Sequence, residues 1–391
     1  MGRASSSQVW SLQSQWLPLL VTLSFTIPST IQGCYTSIFS FGDSLTDTGN
    51  LHFITSSSRP DCWHPPYGST HFHRPTGRCS DGRLILDFIA ESLRLPLVEP
   101  YLGVKNGQVK DWNVEQGVNF AVAGATALDG VVLEEKGFEV EVAANYSLRV
   151  QLDWFKELLP SLCNSSSSCK KALQNSLFIV GEIGGNDYGY PLSQPRSMEE
   201  VKTYVPLVVS AITSVIRAVT LMVPGNLPLG CNPVYLTKYA VPDEDEYDQA
   251  GCLKWLNTFF DYHNEFLQAE LNRLQELYPR TNIIYADYFN SASHFYHSPE
   301  QFGFVKDVLK VCCGGGGPYN YNASALCSYS GAISCDDPSQ YVSWDGLHLT
   351  EAAYRWMTKG LLDGTYTIPA LSTSCIMEDV SSGDSNKYAR K

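Results

Sequence analysis

Five short apolar runs punctuate the chain. Tyr35 to Phe41, Gly117 to Ala123, Ser176 to Gly181, Ala218 to Pro224 and Thr281 to Tyr288 mix β-branched, aromatic and aliphatic residues and break at turn-forming positions, the pattern of buried strands. Between them, Arg83 to Leu93, Leu148 to Leu159, Met198 to Arg217 and Leu253 to Leu277 space their apolar residues as helices do. Strands alternating with helices predict an α/β protein, a central mostly parallel sheet with helices on both faces. Ligands of such sheets bind beyond the carboxyl ends of the strands. The segments that follow the first three predicted strands carry Ser44, Gly124 and Gly184-Gly-Asn186, so these are expected to meet at one edge of the sheet.

Composition changes the picture mainly at the ends. The chain has 391 residues, 44% hydrophobic and 17% charged, which suits one large globular domain and excludes a coiled coil or a disordered chain. A lone Arg3, an apolar stretch from Trp16 to Ile27 and small or polar residues from Ser29 to Gly33 predict a signal peptide over residues 1–33. A single domain over 34–375 and a polar, disordered tail over 376–391 are expected to follow. The leader is broken by Pro18, Ser24 and Pro28, and no later stretch approaches the roughly 18 apolar residues of a membrane span. The mature protein is therefore expected to be secreted, to the extracellular space, the cell wall or the vacuole, without a stable membrane anchor.

Twelve cysteines in a chain bound for an oxidising compartment predict disulfides. Cys163 and Cys169 form one plausible local bridge, and spacing does not choose among the others. Asn145-Tyr-Ser147, Asn164-Ser-Ser166 and Asn322-Ala-Ser324 are glycosylation sequons. A net charge of −13 argues against nucleic acid or anionic membrane as partners, since both recruit basic patches. A neutral or cationic small molecule fits better.

A serine hydroxyl becomes a nucleophile only where a base takes its proton and a further group orients that base. Ser44 follows Gly42-Asp43 at a strand end, and Thr46 and Asp47 suit a helix start that would aim backbone N–H groups at a developing anion. Asp345 lies three residues before His348 and could fix its tautomer. The Ser44 and Gly124 backbone N–H groups and the Asn186 amide could receive an oxyanion. Each fragment alone also reads as an ordinary turn, and Asp345-x-x-His348 also reads as a metal-ligand pair.

Together these blocks spell a family. Gly42-Asp43-Ser44-Leu45 with Asp47-Thr-Gly-Asn50, Gly117-Val-Asn-Phe-Ala-Val-Ala-Gly124, Gly184-Gly-Asn-Asp187 and Asp345-Gly-Leu-His348 resemble the four ordered blocks of the GDSL esterase/lipase family, the SGNH hydrolases. The resemblance implies a three-layer α/β/α, flavodoxin-like fold, Ser44 as nucleophile, Gly124 and Asn186 as oxyanion donors with the Ser44 N–H, His348 as general base and Asp345 as its orienting group. Asn119 to Asp129 and Gly315 to Asn320 resemble the plant secreted branch, whose members acting on acylated metabolites include acetylajmaline esterase and sinapine esterase. One departure is that Arg217 runs directly into Ala218, where similar proteins have a longer helix end and a glycine; local strain is expected there, with the site intact.

The reaction this implies is hydrolysis of small carboxylic esters through a Ser44 acyl-enzyme, with no metal or organic cofactor required. The same residues would serve an acyltransferase that resolves the intermediate with an alcohol, and an idle secreted binding protein could keep the fold. A long-chain lipase is a weaker variant, since no amphipathic lid stands out. Cys62, His64, His71, His73 and Cys79 lie close enough to suggest zinc, but disulfide formation is preferred, with the histidines and Trp63 lining the acyl or alcohol pocket. The glycines Gly314 to Gly317 lack the Lys and Ser/Thr of a phosphate-binding loop and suggest a loop tied by Cys312 and Cys313. Asp243-Glu-Asp-Glu246 reads as a solvated loop.

Overall fold

The computed structural model describes residues 35–55, 62–215 and 220–371. The predicted signal peptide, Cys34, the Arg217-Ala218 junction, Cys375 and the polar tail lie outside these residues.

Eight strands occur among the described residues: β1 (Ser37–Phe41), β2 (Gly117–Asn119), β3 (Ser176–Val180), β4 (Thr220–Pro224), β5 (Asn282–Ala286), β6 (Cys313–Gly314), β7 (Ile333–Ser334) and β8 (Thr367–Ile368). The central sheet has the order β2-β1-β3-β4-β5-β8. Its first five strands are parallel and β8 closes it antiparallel to β5. The remaining two strands form a separate antiparallel ribbon. Order 2-1-3-4-5 is the flavodoxin-like arrangement, in which the chain reverses direction across the sheet at β1 and β3.

Right-handed crossovers then place helices on opposite faces. Leu148–Leu162 lies against β1, Lys254–Leu277 against β5, and Val205–Ser214 packs with both helices. Ile85–Ser92, Tyr288–His297 and Glu351–Leu362 pack together as the other layer. Phe39 stacks on Phe178 at 5.3 Å and meets Phe155 edge-on at 5.4 Å, and each such buried ring contributes about 1.5–3 kcal/mol through apolar burial.

Local chemistry trims the predicted elements. The second strand stops at Asn119 because the Asn119 side chain accepts the Ala121 N–H at 2.9 Å, a local bond that competes with the ladder. The helix expected over Met198–Arg217 divides into Met198–Lys202 and Val205–Ser214, with Pro206 in the first turn of the second, where its missing N–H costs nothing. The fifth strand ends at Ala286, and Asp287 caps the next helix through the Asn290 N–H at 3.0 Å.

Five disulfides join described residues: Cys62–Cys79, Cys163–Cys169, Cys231–Cys252, Cys312–Cys335 and Cys313–Cys327. The local Cys163–Cys169 bridge and the tied loop at Cys312 and Cys313 agree with expectation. No helix among the described residues is long and apolar enough to cross a membrane.

Candidate active site

β1 delivers the chain into a tight turn at Gly42, where φ is +155° and a Cβ would stand 2.8 Å from the Glu182 carbonyl. Only glycine passes here without strain. The Gln151 side chain clamps this peptide from both sides, accepting the Gly42 N–H and donating to the Gly42 carbonyl, each at 2.9 Å. The Asp43 carbonyl accepts the N–H groups of Thr46 and Asp47, and the turn it closes presents Ser44, which keeps 8% of its surface exposed.

The helix start expected after Ser44 is absent. The Asp47 carboxylate takes the N–H groups of Gly49, Asn50, Leu51 and Ala123, so the chain forms a turn followed by a short 3-10 helix over Asn50–Phe53. Burial pushes this carboxyl up to about 6, against those four donors. Asp47 therefore ties the Ser44 turn to the strand end that leads to Gly124.

Gly124 has φ +83°, a conformation that favours glycine. Among the described residues, the backbone N–H groups of Ser44 and Gly124 donate no hydrogen bond. The Asn186 amide donates to Asp43 Oδ2 at 3.0 Å and to the Ala125 carbonyl at 2.9 Å, so it touches the residues beside Ser44 and Gly124. Its neighbour Asp187 accepts the Ala127 and Leu128 N–H groups at 2.8 and 2.9 Å, and burial pushes its carboxyl up to about 7. The three segments meet at the carboxyl edge of β1, β2 and β3, as the strand pattern predicts.

Asp345 and His348 approach from the loop before Glu351–Leu362. His348 Nδ1 lies 2.7 Å from Asp345 Oδ2. Because the carboxylate only accepts, Nδ1 carries the hydrogen and Nε2 the lone pair. Asp345 Oδ1 accepts the Leu347 and His348 N–H groups, and the Tyr67 hydroxyl donates to Oδ2 at 2.8 Å. Burial opposes charge on His348, but Asp345 and then Asp43 outweigh it and raise the imidazole above its ordinary value. For Asp345 burial acts upward, yet His348 and the hydrogen bonds hold the carboxyl below its ordinary value. His348 Nε2 is buried without a partner among the described residues, so no hydrogen bond joins it to Ser44 Oγ in this arrangement. Geometry of this kind tightens when substrate binds.

Behind the dyad, Cys312 and Cys313 donate their N–H groups to the carbonyls of Ser343 and Trp344. The fully buried Trp344 packs edge-on against Tyr67 at 5.8 Å. Tyr67 and Gln151 hold residues of this site without having stood out in the sequence. Tyr67 is 278 residues from its partner, and no spacing rule reaches that far.

The other candidates resolve differently. Cys62 and Cys79 are bonded to each other, which removes both thiolates as zinc ligands. His71 and His73 are exposed, and Trp63 stacks on His52 at 3.9 Å. His263 is buried beside Tyr188, its Nδ1 2.7 Å from the phenol. An apolar cavity of about 270 Å³ lies between the sheet and Leu148–Leu162, lined by Phe41, Phe155, Phe178 and Leu221, with none of Ser44, Asn186 or His348. Asn145, Asn164 and Asn322 are exposed, as is Asp243 to Glu246.

The family description GDSL-like Lipase/Acylhydrolase matches residues 38–361. One GDSL esterase/lipase of Arabidopsis thaliana is 52% identical over 360 residues, 90% of each chain. A second is 48% identical over 380 residues, 95% of each chain, and a third 51% identical over 367 residues, 91% of each.

Proposed function

Since the chain belongs to the GDSL-like lipase/acylhydrolase family, we propose that it is a carboxylic ester hydrolase acting through a serine acyl-enzyme. The observation that carries this reading is the Asp345–His348 contact at 2.7 Å, which fixes the hydrogen on Nδ1 and leaves Nε2 with its lone pair and without a partner among the described residues. His348 takes the Ser44 proton as the oxygen attacks the ester carbonyl, and Asp345 stabilises the imidazolium. The oxyanion forms opposite the Ser44 and Gly124 N–H groups, and the Asn186 amide joins them by releasing one of its two present acceptors. His348 then protonates the leaving alcohol, and water activated by the same imidazole releases the acid.

Small acyl esters of a specialised metabolite are the substrate class, supported by the resemblance of the Asn119 to Asp129 block to esterases of acylated metabolites. The acidic balance of the chain favours a neutral or cationic alcohol portion. Secretion, with glycans on Asn145, Asn164 and Asn322, fits five disulfides and three exposed sequons.

The test is hydrolysis of a short-chain p-nitrophenyl ester by the wild type and by Ser44→Ala, both checked for folding by circular dichroism. The variant is expected to lose on the order of 10⁴-fold or more in kcat. Equal activity in the two would remove Ser44 as nucleophile. Product analysis with an added acceptor alcohol separates hydrolysis from acyl transfer.

A further inference from the structure

The first turn of the helix Leu148–Leu162 reaches the segments that carry both backbone donors of the oxyanion site. Gln151 is fully buried, and both hydrogens of its amide are used. Its Oε1 accepts the Gly42 N–H at 2.9 Å, while Nε2 donates to the Gly42 carbonyl at 2.9 Å and to the Tyr146 carbonyl at 3.0 Å. The first two bonds grip the peptides on either side of the Gly42 Cα, so they set the backbone angles at which β1 turns toward Ser44. The third joins the same amide to the short 3-10 helix Val142–Tyr146.

That 3-10 helix abuts Gly124. A Cβ placed on Gly124 would stand 2.9 Å from the Ala143 Cβ, so the Ala143 methyl braces the glycine. Two backbone bonds complete the tie. The Val122 N–H donates to the Gly42 carbonyl at 3.2 Å, and the Leu148 N–H donates to the Thr126 carbonyl at 3.0 Å. The segment from Val122 to Thr126, with Gly124 at its centre, is thus held at one end by the Gly42 carbonyl and at the other by the helix start.

We propose that Gln151 is a positioning residue that couples the Gly42 turn to the Gly124 turn, so that the Ser44 and Gly124 N–H groups keep one fixed spacing for the oxyanion. Stabilisation of a developing anion depends on donors set in place before the charge appears. The sheet cannot supply that fixing, because β1 ends at Phe41 and β2 at Asn119, short of both donors. A buried amide that grips one turn and, through Tyr146 and Ala143, braces the other supplies it where the ladder has stopped.

This inference rests on the serine-esterase reading, but its first test does not. Amide hydrogen exchange of the wild type is followed by mass spectrometry in rising, sub-denaturing urea. The segments 42–48, 120–126 and 142–151 are expected to share one opening free energy and one urea dependence; separate openings overturn the coupling. The second test is Gln151→Met, which keeps the length of the side chain and removes all three hydrogen bonds. Exchange should quicken in 42–48 and 120–126 while β4 and β5 stay as in the wild type, and quickening at 42–48 alone overturns the coupling. On a p-nitrophenyl ester kcat should fall by on the order of 10²-fold, the scale of one lost oxyanion donor, with KM nearly unchanged. Affinity for a boronic acid, which binds a reactive serine as a tetrahedral anion, should fall in step with kcat. Unchanged kcat and boronic acid affinity in folded Gln151→Met would show Gln151 to be structural only. If Gln151→Met does not fold, Ala143→Gly takes its place: it withdraws the brace from Gly124 alone and should quicken exchange at 120–126 and lower kcat, and no change in either overturns the proposal. An active Ser44→Ala beside an intact shared opening would instead sink the esterase reading and leave the coupling standing.

Discussion

Tyr67 and His348 donate to the same oxygen of Asp345, at 2.8 and 2.7 Å. The phenol thus holds the same carboxylate oxygen that faces the imidazole and stabilises its charge. Removing a hydrogen bond to a charged acceptor costs about 1.5–3 kcal/mol. Tyr67→Phe should therefore lower kcat by on the order of tenfold, with KM changed little, in steady-state ester hydrolysis. An unchanged kcat would make the contact incidental.

The base works only when His348 is neutral. Its raised value places the acid limb of activity above the ordinary histidine value of 6.5, with activity lost as pH falls through it. Asp345→Asn removes the charge that raises it, so the limb should move to lower pH while kcat drops by on the order of 10⁴-fold. A pH–rate profile of both proteins reads the two effects separately.

Asn186 is asked to do two things. Its amide bridges Asp43 and the Ala125 carbonyl, and the proposed mechanism asks one of those two N–H groups to turn to the oxyanion. Asn186→Ala should cut kcat by about 10²–10³-fold and destabilise the fold by about 1–3 kcal/mol through the acceptors left buried. Urea unfolding beside the activity assay distinguishes the two losses.

Arg78 and Asp87 form a two-pronged pair at 2.8 Å for each contact, with side-chain exposures of 7% and 0%. Arg78→Met strands a buried carboxylate and should cost about 3–5 kcal/mol. The double variant Arg78→Met with Asp87→Leu should recover much of that in the same unfolding experiment, because no unpaired charge remains.

The sheet was legible because strands buried on both faces are written as continuous apolar runs, and the loops after β1, β2 and β3 follow from that. Asp345 and His348 were legible because residues three apart share one turn. What stayed hidden was long-range or misleading locally. Tyr67 reaches Asp345 only through the folded loop closed by Cys62–Cys79. Asp47 looked like a helix cap, yet its carboxylate is shared with the Ala123 N–H from another strand end, which no local reading of Asp47-Thr-Gly-Asn50 contains.

The disulfides divide the site into two populations. Ser44, Gly124 and Asn186 are held by the ladder of β1, β2 and β3, whereas Asp345 and His348 rest on a segment backed by Cys312 and Cys313, each bonded to a distant cysteine. Closing those loops restricts the unfolded chain rather than the sheet. Losing those two bridges should therefore loosen the Asp345–His348 segment more than the sheet that carries Ser44, Gly124 and Asn186, an outcome that ester hydrolysis beside circular dichroism under reductant checks.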